Sequence, residues 1–190
     1  MSFDTPSWLA EARALIGEAH VLSEERGDDL SAYTRDWRNK FNGSALAVLR
    51  PANTGEVQAI VRFAARSGVA LVPQGGNTGM CGASVPTASG RQAILQLGRL
   101  NRILDIDPEN NTATVEAGCI LQTLQEQAAA VGRLFPLSLG AEGSCQVGGN
   151  IATNAGGVQV LRYGNMRDLV LGLEVVLPDG ERLDLLRGLR

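Results

Sequence analysis

The 190-residue chain has few of the residue types on which common functional sites depend. Its single histidine is His20 and its single lysine is Lys40, while its three cysteines are far apart and include no CxxC pair. A zinc site needs clustered Cys and His ligands, and three widely spaced cysteines are typical of a reduced protein, so neither a zinc site nor a disulfide framework is predicted. The sequence alone assigns no metal site and no catalytic residue.

Excess positive charge and long apolar runs are also missing. Lys and Arg number 17 against 20 Asp and Glu, and the formal net charge is −3. Without a basic cluster to attract a polyanion, a nucleic-acid partner is not predicted. No run of about 18 apolar residues occurs, so no membrane span is predicted either. The N-terminus lacks the features of a signal peptide, which together with the unpaired cysteines favours a cytoplasmic location.

Two common nucleotide-binding motifs are absent. The P-loop pattern GxxxxGK[ST] does not occur, and Lys40 is in no glycine loop. No two of the 23 glycines are separated by a single residue, so the GxGxxG pattern of a Rossmann NAD site is missing too. A P-loop NTPase is excluded and a Rossmann dehydrogenase is unsupported.

The apolar periodicity predicts an α/β (α+β) fold. Residues 7–19 have helical spacing, with Ser7 as the expected N-cap, and the polar segment 33–43 ends in a turn signal. A strand over 44–51, a helix from Thr54 as N-cap to Gly68, and a strand over 69–73 then form a βαβ unit with parallel strands. We therefore predict an N-terminal helical arm over residues 1–43 and one domain over residues 44–190.

The second half of the sequence predicts further short secondary-structure elements. Strands are expected at 93–97, 102–107 and 112–118, followed by a helix that ends at Gly132. A final hairpin turns through residues 178–180, and a mixed sheet follows from these elements. The last residues come shortly after a strand with no closing element, which predicts a chain that is incomplete at its C-terminus.

Two glycine-rich loops are the strongest functional signal. They are VPQGGNTGMCGASVP (72–86) and FPLSLGAEGSCQVGGNIATNAGG (135–157). Ordering a glycine costs roughly 0.5–1 kcal/mol more than ordering alanine in regular structure, so a compensating role is expected. Glycine loops can present main-chain N–H groups to a phosphate, and a short helix after the second loop could add its N-terminal amides. Two such loops favour a dinucleotide, although a single glycine loop is as often a tight turn.

Long stretches of the sequence resemble a known flavoprotein domain. These are PQGGNTGMCGASVP (73–86), NRILDIDPENNTATVEAG (101–118) and the segment from Phe135 to Gly180. They resemble the FAD-binding (PCMH-type) domain of the vanillyl-alcohol oxidase superfamily, and most closely the D-2-hydroxyglutarate and D-lactate dehydrogenases, over about residues 30–185. The resemblance implies two subdomains, a small βαβ subdomain and a larger mixed sheet with helices. It also implies that the C-terminal part and a substrate cap are absent.

The resemblance implies a set of cofactor-binding residues on both loops. In the first loop they are Pro73, Gly75, Gly76, Asn77, Thr78, Gly79, Met80 and Ser84. In the second loop they are Pro136, Gly140, Gly143, Ser144, Gly148, Gly149, Asn150, Ala152 and Thr153. Some relatives attach flavin to a histidine of the first loop, which this loop lacks, so noncovalent FAD is expected.

The implied function is oxidation of a D-2-hydroxy acid of the 2-hydroxyglutarate, lactate or glycolate type. The hydride would pass to flavin N5, and a further electron acceptor would reoxidise the full-length protein. The isolated chain is expected to retain FAD weakly and to expose apolar surface that favours self-association. Two alternatives stay open: a noncatalytic nucleotide-binding or interaction module, and an FAD oxidase of another alcohol or a sugar.

Other conspicuous side chains are interpreted as structural. The patch at residues 36–38 is expected to pack the arm on the sheet, and His20 is expected to be a surface or packing residue. Cys81 and Cys145 are expected to fill small volumes, because neither has a basic neighbour to activate it. Arg162 could pair with a carboxylate substrate only if a cap completed a pocket.

Overall fold

The computed structural model describes residues 4–186, which contain both helices and strands. The strands are β1 (Val21–Leu22), β2 (Ala45–Leu49), β3 (Ala70–Gln74), β4 (Gln92–Gln96), β5 (Ile103–Asp107), β6 (Thr112–Val115), β7 (Glu174–Val176) and β8 (Arg182–Asp184). The helices are α1 (Thr5–Ile16), α2 (Ser31–Thr34), α3 (Thr54–Ser67), α4 (Leu121–Ala130), α5 (Val147–Ala152), α6 (Val160–Tyr163) and α7 (Met166–Leu169). The predicted α/β fold with a mixed sheet is confirmed.

Two compact units divide the chain. The first runs to Arg99 and includes Val175–Leu183, and the second covers Leu100–Glu174 and continues from Asp184. The sequence instead predicts an arm (1–43) and one domain (44–190). This division differs from the two units of the structure and stays a prediction. The last four residues of the predicted domain, 187–190, lie outside the described part of the chain.

The first unit contains a four-stranded mixed sheet in the order β1-β2-β4-β3. Strand β1 is antiparallel to β2, whereas β2 and β3 both pair in parallel with β4. Helix α3 therefore connects parallel strands, as predicted, but these are not neighbours because β4 lies between them. The carboxyl ends of β2, β4 and β3 consequently lie along one edge of the sheet.

Helices α1 and α3 pack together on one face of this sheet. The rings of Trp8 and Phe63 stack with centroids 5.0 Å apart, and Trp8 Nε1 donates a hydrogen bond of 2.9 Å to Ser67 Oγ. The predicted helix starts need correction. Helix α1 begins at Thr5 rather than after Ser7, because a proline fits the first turn.

The N-cap of α3 is Asn53 rather than Thr54. The side chain of Asn53 accepts a hydrogen bond of 2.9 Å from the main-chain N–H of Glu56, which satisfies one of the free donors in the first turn. The helix ends at Gly68, as predicted, in the left-handed conformation with φ of 69°. Apolar residues of β2 and β4 alternate between the two sheet faces, so the sheet carries a buried cluster on each side.

The second unit has its own apolar core and its own strand pair. Strands β5 and β6 form an antiparallel hairpin, and α4 buries Leu121, Leu124 and Ala128. These pack in one cluster with residues of the second glycine loop and with α5 and α7. Strands β7 and β8 form a two-stranded sheet at the predicted final hairpin, most of which belongs to the first unit. Among residues 4–186, no helix combines the length and apolar character needed to cross a membrane.

Candidate functional site

The first glycine loop leaves the carboxyl end of β3, where its entry is tied to its exit. The buried side chain of Gln74 donates hydrogen bonds from Nε2 to the carbonyl oxygens of Tyr33 (2.8 Å) and Ser84 (2.7 Å). Gln74 therefore holds both ends of the loop together. The sequence analysis missed this residue, although a glutamine that follows a run of apolar strand residues was a usable signal.

Asn77 fixes the middle of the same loop. Its backbone is left-handed, with φ of 52°, a region that Asn tolerates better than most residues. Asn77 Nδ2 donates to the carbonyl oxygen of Arg35 (2.6 Å) and of Ala32 (3.2 Å), while its Oδ1 accepts from Ser84 Oγ (2.8 Å). Asn77 and Ser84, both predicted cofactor residues, thus use their side chains to shape the loop.

Shaping the loop in this way leaves a run of main-chain donors free. Within the described residues, the N–H groups of residues 76–80 donate no hydrogen bond to another protein group. Gly76, Asn77 and Thr78 are half-buried, and Gly79 and Met80 are exposed. Consecutive unbonded amides can bind an anion without the help of a charged side chain. This is the arrangement that the glycine-rich sequence predicts.

Gly82 and Gly79 of this loop differ in why glycine occupies the position. Gly82 is left-handed with φ of 72°, and a methyl group on it would lie 2.6 Å from Phe41 Cγ, so this position needs glycine for packing. A methyl group on Gly79 would meet no protein atom within 4 Å. Gly79 therefore has no steric reason within the described chain to be glycine, and close approach of a ligand would supply one.

The second loop leads into α5, as predicted, but two amides of that helix are already used. The N–H of Val147 donates to the carbonyl oxygen of Cys119 (2.9 Å), and that of Gly148 donates to Ala117 (2.8 Å). A methyl group on Gly148 would also lie 2.8 Å from Ala117 Cβ. Gly148 is thus required by internal packing, and its amide is not available to an anion.

Other glycines of the second loop face open space. A methyl group on Gly140 or on Gly149 would meet no atom of residues 4–186 within 4 Å, and both residues are exposed. Ser144 closes a turn, since its N–H donates to Ala141 (3.0 Å), and Thr153 Oγ1 donates to the carbonyl oxygen of Gly149 (2.9 Å). The loop therefore combines internally fixed residues with glycines that leave room for a ligand.

Asn150 is the one predicted site residue that is buried, at 5% exposure. Its Oδ1 has no hydrogen-bond partner within the described residues, and the same holds for the buried Oε1 atoms of Gln146 and Gln159. An unsatisfied buried acceptor costs about 1–3 kcal/mol, so this region favours a ligand with hydroxyl or N–H donors. The sequence analysis missed both glutamines, which have no distinctive pattern around them.

The remaining predicted site residues are accessible. Every one of them other than Asn150 is half-buried or exposed, including Pro73, Gly75, Pro136, Gly143 and Ala152. The first loop belongs to the first unit and the second loop to the second unit. Joint binding of one ligand by both loops stays a prediction.

The ionisable groups near the loops differ in burial and in the direction in which their pKa values shift. Burial raises the pKa of the Cys145 thiol and of the Cys119 thiol, so neither is an activated nucleophile. Cys81 is exposed and does not fill a cavity, contrary to the prediction. Hydrogen bonds from the side chains of Ser138 and Gln125 lower the pKa of Glu142. Residues 4–186 contain no group of three or more His, Cys, Asp or Glu placed to hold a metal ion.

Four other residues singled out in the sequence are His20, Asp36, Trp37 and Arg162. Asp36 is buried, as the packing interpretation requires, but Trp37 is 67% exposed and does not pack the arm on the sheet. Burial, followed by the charge of Arg99, lowers the pKa of His20. The guanidinium carbon of Arg162 lies 5.4 Å from the centre of the Tyr163 ring, a cation–π contact.

A separate surface depression in the first unit does not include the amide run. It has a volume of about 450 Å³, and its lining includes Glu24, Asp28 and Asp29. These acidic residues would repel an anionic ligand at short range. The first glycine loop is therefore the better candidate for an anion site.

Both loops lie within the part of the chain that matches a known protein family. A family model described as "FAD binding domain" matches residues 45–186. The chain is 44% identical to "Probable D-2-hydroxyglutarate dehydrogenase, mitochondrial" of Oryza sativa subsp. indica over 94% of this chain and 31% of that protein. It is 42% identical to the Arabidopsis thaliana "D-2-hydroxyglutarate dehydrogenase, mitochondrial" over the same shares. The chain thus spans about a third of the length of these relatives.

Solved structures show the same fold at lower identity. The chain matches an alkyldihydroxyacetonephosphate synthase with a TM-score of 0.82 and 22% identity, over 97% of this chain and 35% of that one. It matches p-cresol methylhydroxylase with a TM-score of 0.71 and 23% identity, over 94% of this chain and 34% of that one. The predicted cytoplasmic location is wrong, because the rice and Arabidopsis relatives are named mitochondrial.

Proposed function

Because the chain belongs to the FAD-binding domain family, we propose that it is the cofactor-binding portion of a flavin-dependent dehydrogenase that oxidises a D-2-hydroxy acid to the 2-oxo acid. The predicted resemblance to this type of flavoprotein is confirmed, and FAD is the cofactor that the family match supports. The identity of 42–44% with proteins named D-2-hydroxyglutarate dehydrogenases supports the substrate class. Activity would belong to a longer protein, since the chain spans only about a third of those relatives.

The residues present fit FAD, and the run of free amides at residues 76–80 is the observation that carries the proposal. These amides would hold the diphosphate of the cofactor. Gly79, Gly140 and Gly149 would allow close approach, and the unpartnered Oδ1 of Asn150 would accept a hydrogen bond from a cofactor donor. When bound, FAD supplies hydride-accepting chemistry, and the protein supplies binding and orientation.

The other predicted site residues complete this proposal. Asn77 and Ser84 would act through the shape of the first loop, and the loop has no histidine to attach flavin, so the FAD would be noncovalent. Residues 44–190 would form the FAD-binding domain, preceded by the arm over residues 1–43. We also propose that a separate electron acceptor reoxidises the complete enzyme and that the isolated chain self-associates.

A titration of the purified 190-residue chain tests the cofactor proposal. Flavin fluorescence should change saturably with FAD, and ADP should compete because it carries the same diphosphate. Riboflavin, which has no phosphate, should bind far more weakly. The chain should lose FAD readily on gel filtration. Equal binding of riboflavin and FAD would contradict a diphosphate site.

A test of the proposed substrate class requires a full-length protein that contains this chain. It should reduce a dye acceptor with D-2-hydroxyglutarate or D-lactate and should not do so with the L enantiomers. Simple alcohols and sugars serve as controls for the alternative oxidase function. A full-length protein that binds FAD but turns over none of these substrates would favour the noncatalytic module.

A further inference from the structure

The first glycine loop is held by residues that come before the matched family domain. Asn77 donates to the carbonyl oxygens of Ala32 and Arg35, and Gln74 donates to that of Tyr33. All of these residues belong to the first unit. The three acceptors precede residue 45, where the match to the FAD-binding family begins. The shape of the loop therefore depends on a segment about 40 residues upstream in the chain.

Asp36 organises that upstream segment into a turn. Its Oδ1 accepts hydrogen bonds of 2.7 Å from the main-chain N–H groups of both Lys40 and Phe41. The N–H of Asp36 in turn donates to the carbonyl oxygen of Phe41 (3.1 Å), and Asn39 takes the left-handed conformation between them. Asp36 is only 4% exposed, so these bonds are shielded from water. One carboxylate thus closes the whole turn.

The turn contacts the first glycine loop at two points. At its start, the carbonyl oxygen of Arg35 accepts the 2.6 Å hydrogen bond from Asn77. At its end, the ring of Phe41 lies against Gly82, close enough that a methyl group there would be 2.6 Å from Cγ. A bridge between Arg35 and Asn42 keeps the two ends of the turn in register. The first contact falls within the run of free amides, at Asn77, and the second lies two residues after it, at Gly82.

We propose that Asp36 is a positioning residue for this loop: by closing the turn at residues 36–41, it fixes Arg35 and Phe41 against the loop and keeps the amides of residues 76–80 ordered. Without the carboxylate, two amides of the turn lose their acceptor and the Phe41 ring is no longer held in place. The loop amides have no hydrogen bonds of their own to keep them in one arrangement. This role rests on the proposed function only in naming FAD as the ligand.

The experiment measures backbone order and FAD affinity in the same variants. Asp36→Ala should lower the ¹⁵N order parameters of residues 76–80 from values typical of rigid backbone, about 0.85, to below about 0.6, while α3 keeps its values. The FAD dissociation constant should rise by about tenfold or more, the result expected when a preorganised site is lost. Asp36→Asn, which keeps an oxygen acceptor, should restore most of both properties.

Asp107→Ala is the matched control. Asp107 Oδ1 also accepts from two main-chain N–H groups, those of Glu109 and Asn110, but it lies in the second unit. This variant should leave the order of residues 76–80 unchanged. If Asp36→Ala does not fold, the Phe41→Ala variant tests the positioning role instead. The ring of Phe41 is partly exposed, so its removal is tolerated more easily.

Unchanged loop order in a folded Asp36→Ala or Phe41→Ala variant would overturn the positioning role. So would equal loosening by Asp107→Ala. A wild-type chain that does not bind FAD would contradict the proposed function, and the order parameters would still decide the role of Asp36. Failure of the two proposals is therefore distinguishable.

Discussion

The main-chain nitrogen of Gly148 lies 2.8 Å from the carbonyl oxygen of Ala117, so this glycine is bound into the interior of the second unit. Its neighbour Gly149 is exposed, and a methyl group there would meet no protein atom within 4 Å. Glycine thus occupies these two adjacent positions for different physical reasons. Gly148 allows α5 to approach the chain at Ala117, whereas Gly149 faces open space within the described residues.

Alanine substitutions at these two positions should have opposite effects. Gly148→Ala should destabilise the fold by about 1–3 kcal/mol, the cost of forcing a methyl group into a packed site. Gly149→Ala should leave stability unchanged or raise it by up to about 1 kcal/mol, because alanine favours the helix, and yet it should weaken FAD binding. Urea unfolding and FAD titration of both variants check this. A Gly149→Ala variant that binds FAD as the wild type does would argue against a ligand at this position.

The cysteines should differ in reactivity. Cys81 is exposed, whereas burial raises the pKa of Cys119 and Cys145 and keeps their thiols protonated. A disulfide reagent at pH 8 should therefore label Cys81 rapidly and the other two only after denaturation. Since Cys81 follows the free amides directly, saturating FAD should slow its labelling. The Cys81→Ser variant should lose the rapid phase, and labelling that ignores FAD would place the cofactor elsewhere.

Strands β2, β3 and β4 of the first unit could be predicted because their apolar runs are bounded by Pro and Gly, whereas the two-residue strand β1 was not predicted. The order of those strands could not be predicted, since β4 lies between β2 and β3 through contacts distant in sequence. The start of α1 was placed too late because Pro6, which fits the first turn of a helix, was overlooked as a start signal.

Part of the candidate site could also be predicted from the sequence. The glycine pattern located both loops, and the role of their residues in FAD binding stays a prediction. It could not separate Gly148 from Gly149, because that difference depends on whether Ala117 approaches the chain. Nor could it show that Asp36 closes a turn against the first loop, since no local pattern links residues 36 and 77.

The contact between Trp8 and Phe63 predicts that the N-terminal helix contributes to the stability of the first unit. Trp8→Ala should cost roughly 3–5 kcal/mol, as expected for a buried tryptophan in a core. Trp8→Phe keeps an aromatic partner for Phe63 and loses the hydrogen bond to Ser67, so it should cost about 1 kcal/mol from that bond. Urea unfolding followed by circular dichroism measures both. Equal stability of Trp8→Ala and wild type would indicate a dispensable arm.

Glu142 should make the second loop sensitive to acid. Hydrogen bonds with Ser138 and Gln125, together with the N–H of Leu139, hold its pKa below the ordinary value of 4.5. The folded chain therefore binds this proton less tightly than the unfolded chain does. The resulting stabilisation is complete above about pH 4.5 and is lost as the pH falls through the lower pKa of the folded state. Glu142→Gln has no such titration, so the stability difference from wild type, measured by urea unfolding between pH 3 and 6, should narrow as the pH falls. A difference that stays constant over this range would show that the charge of Glu142 does not stabilise the loop.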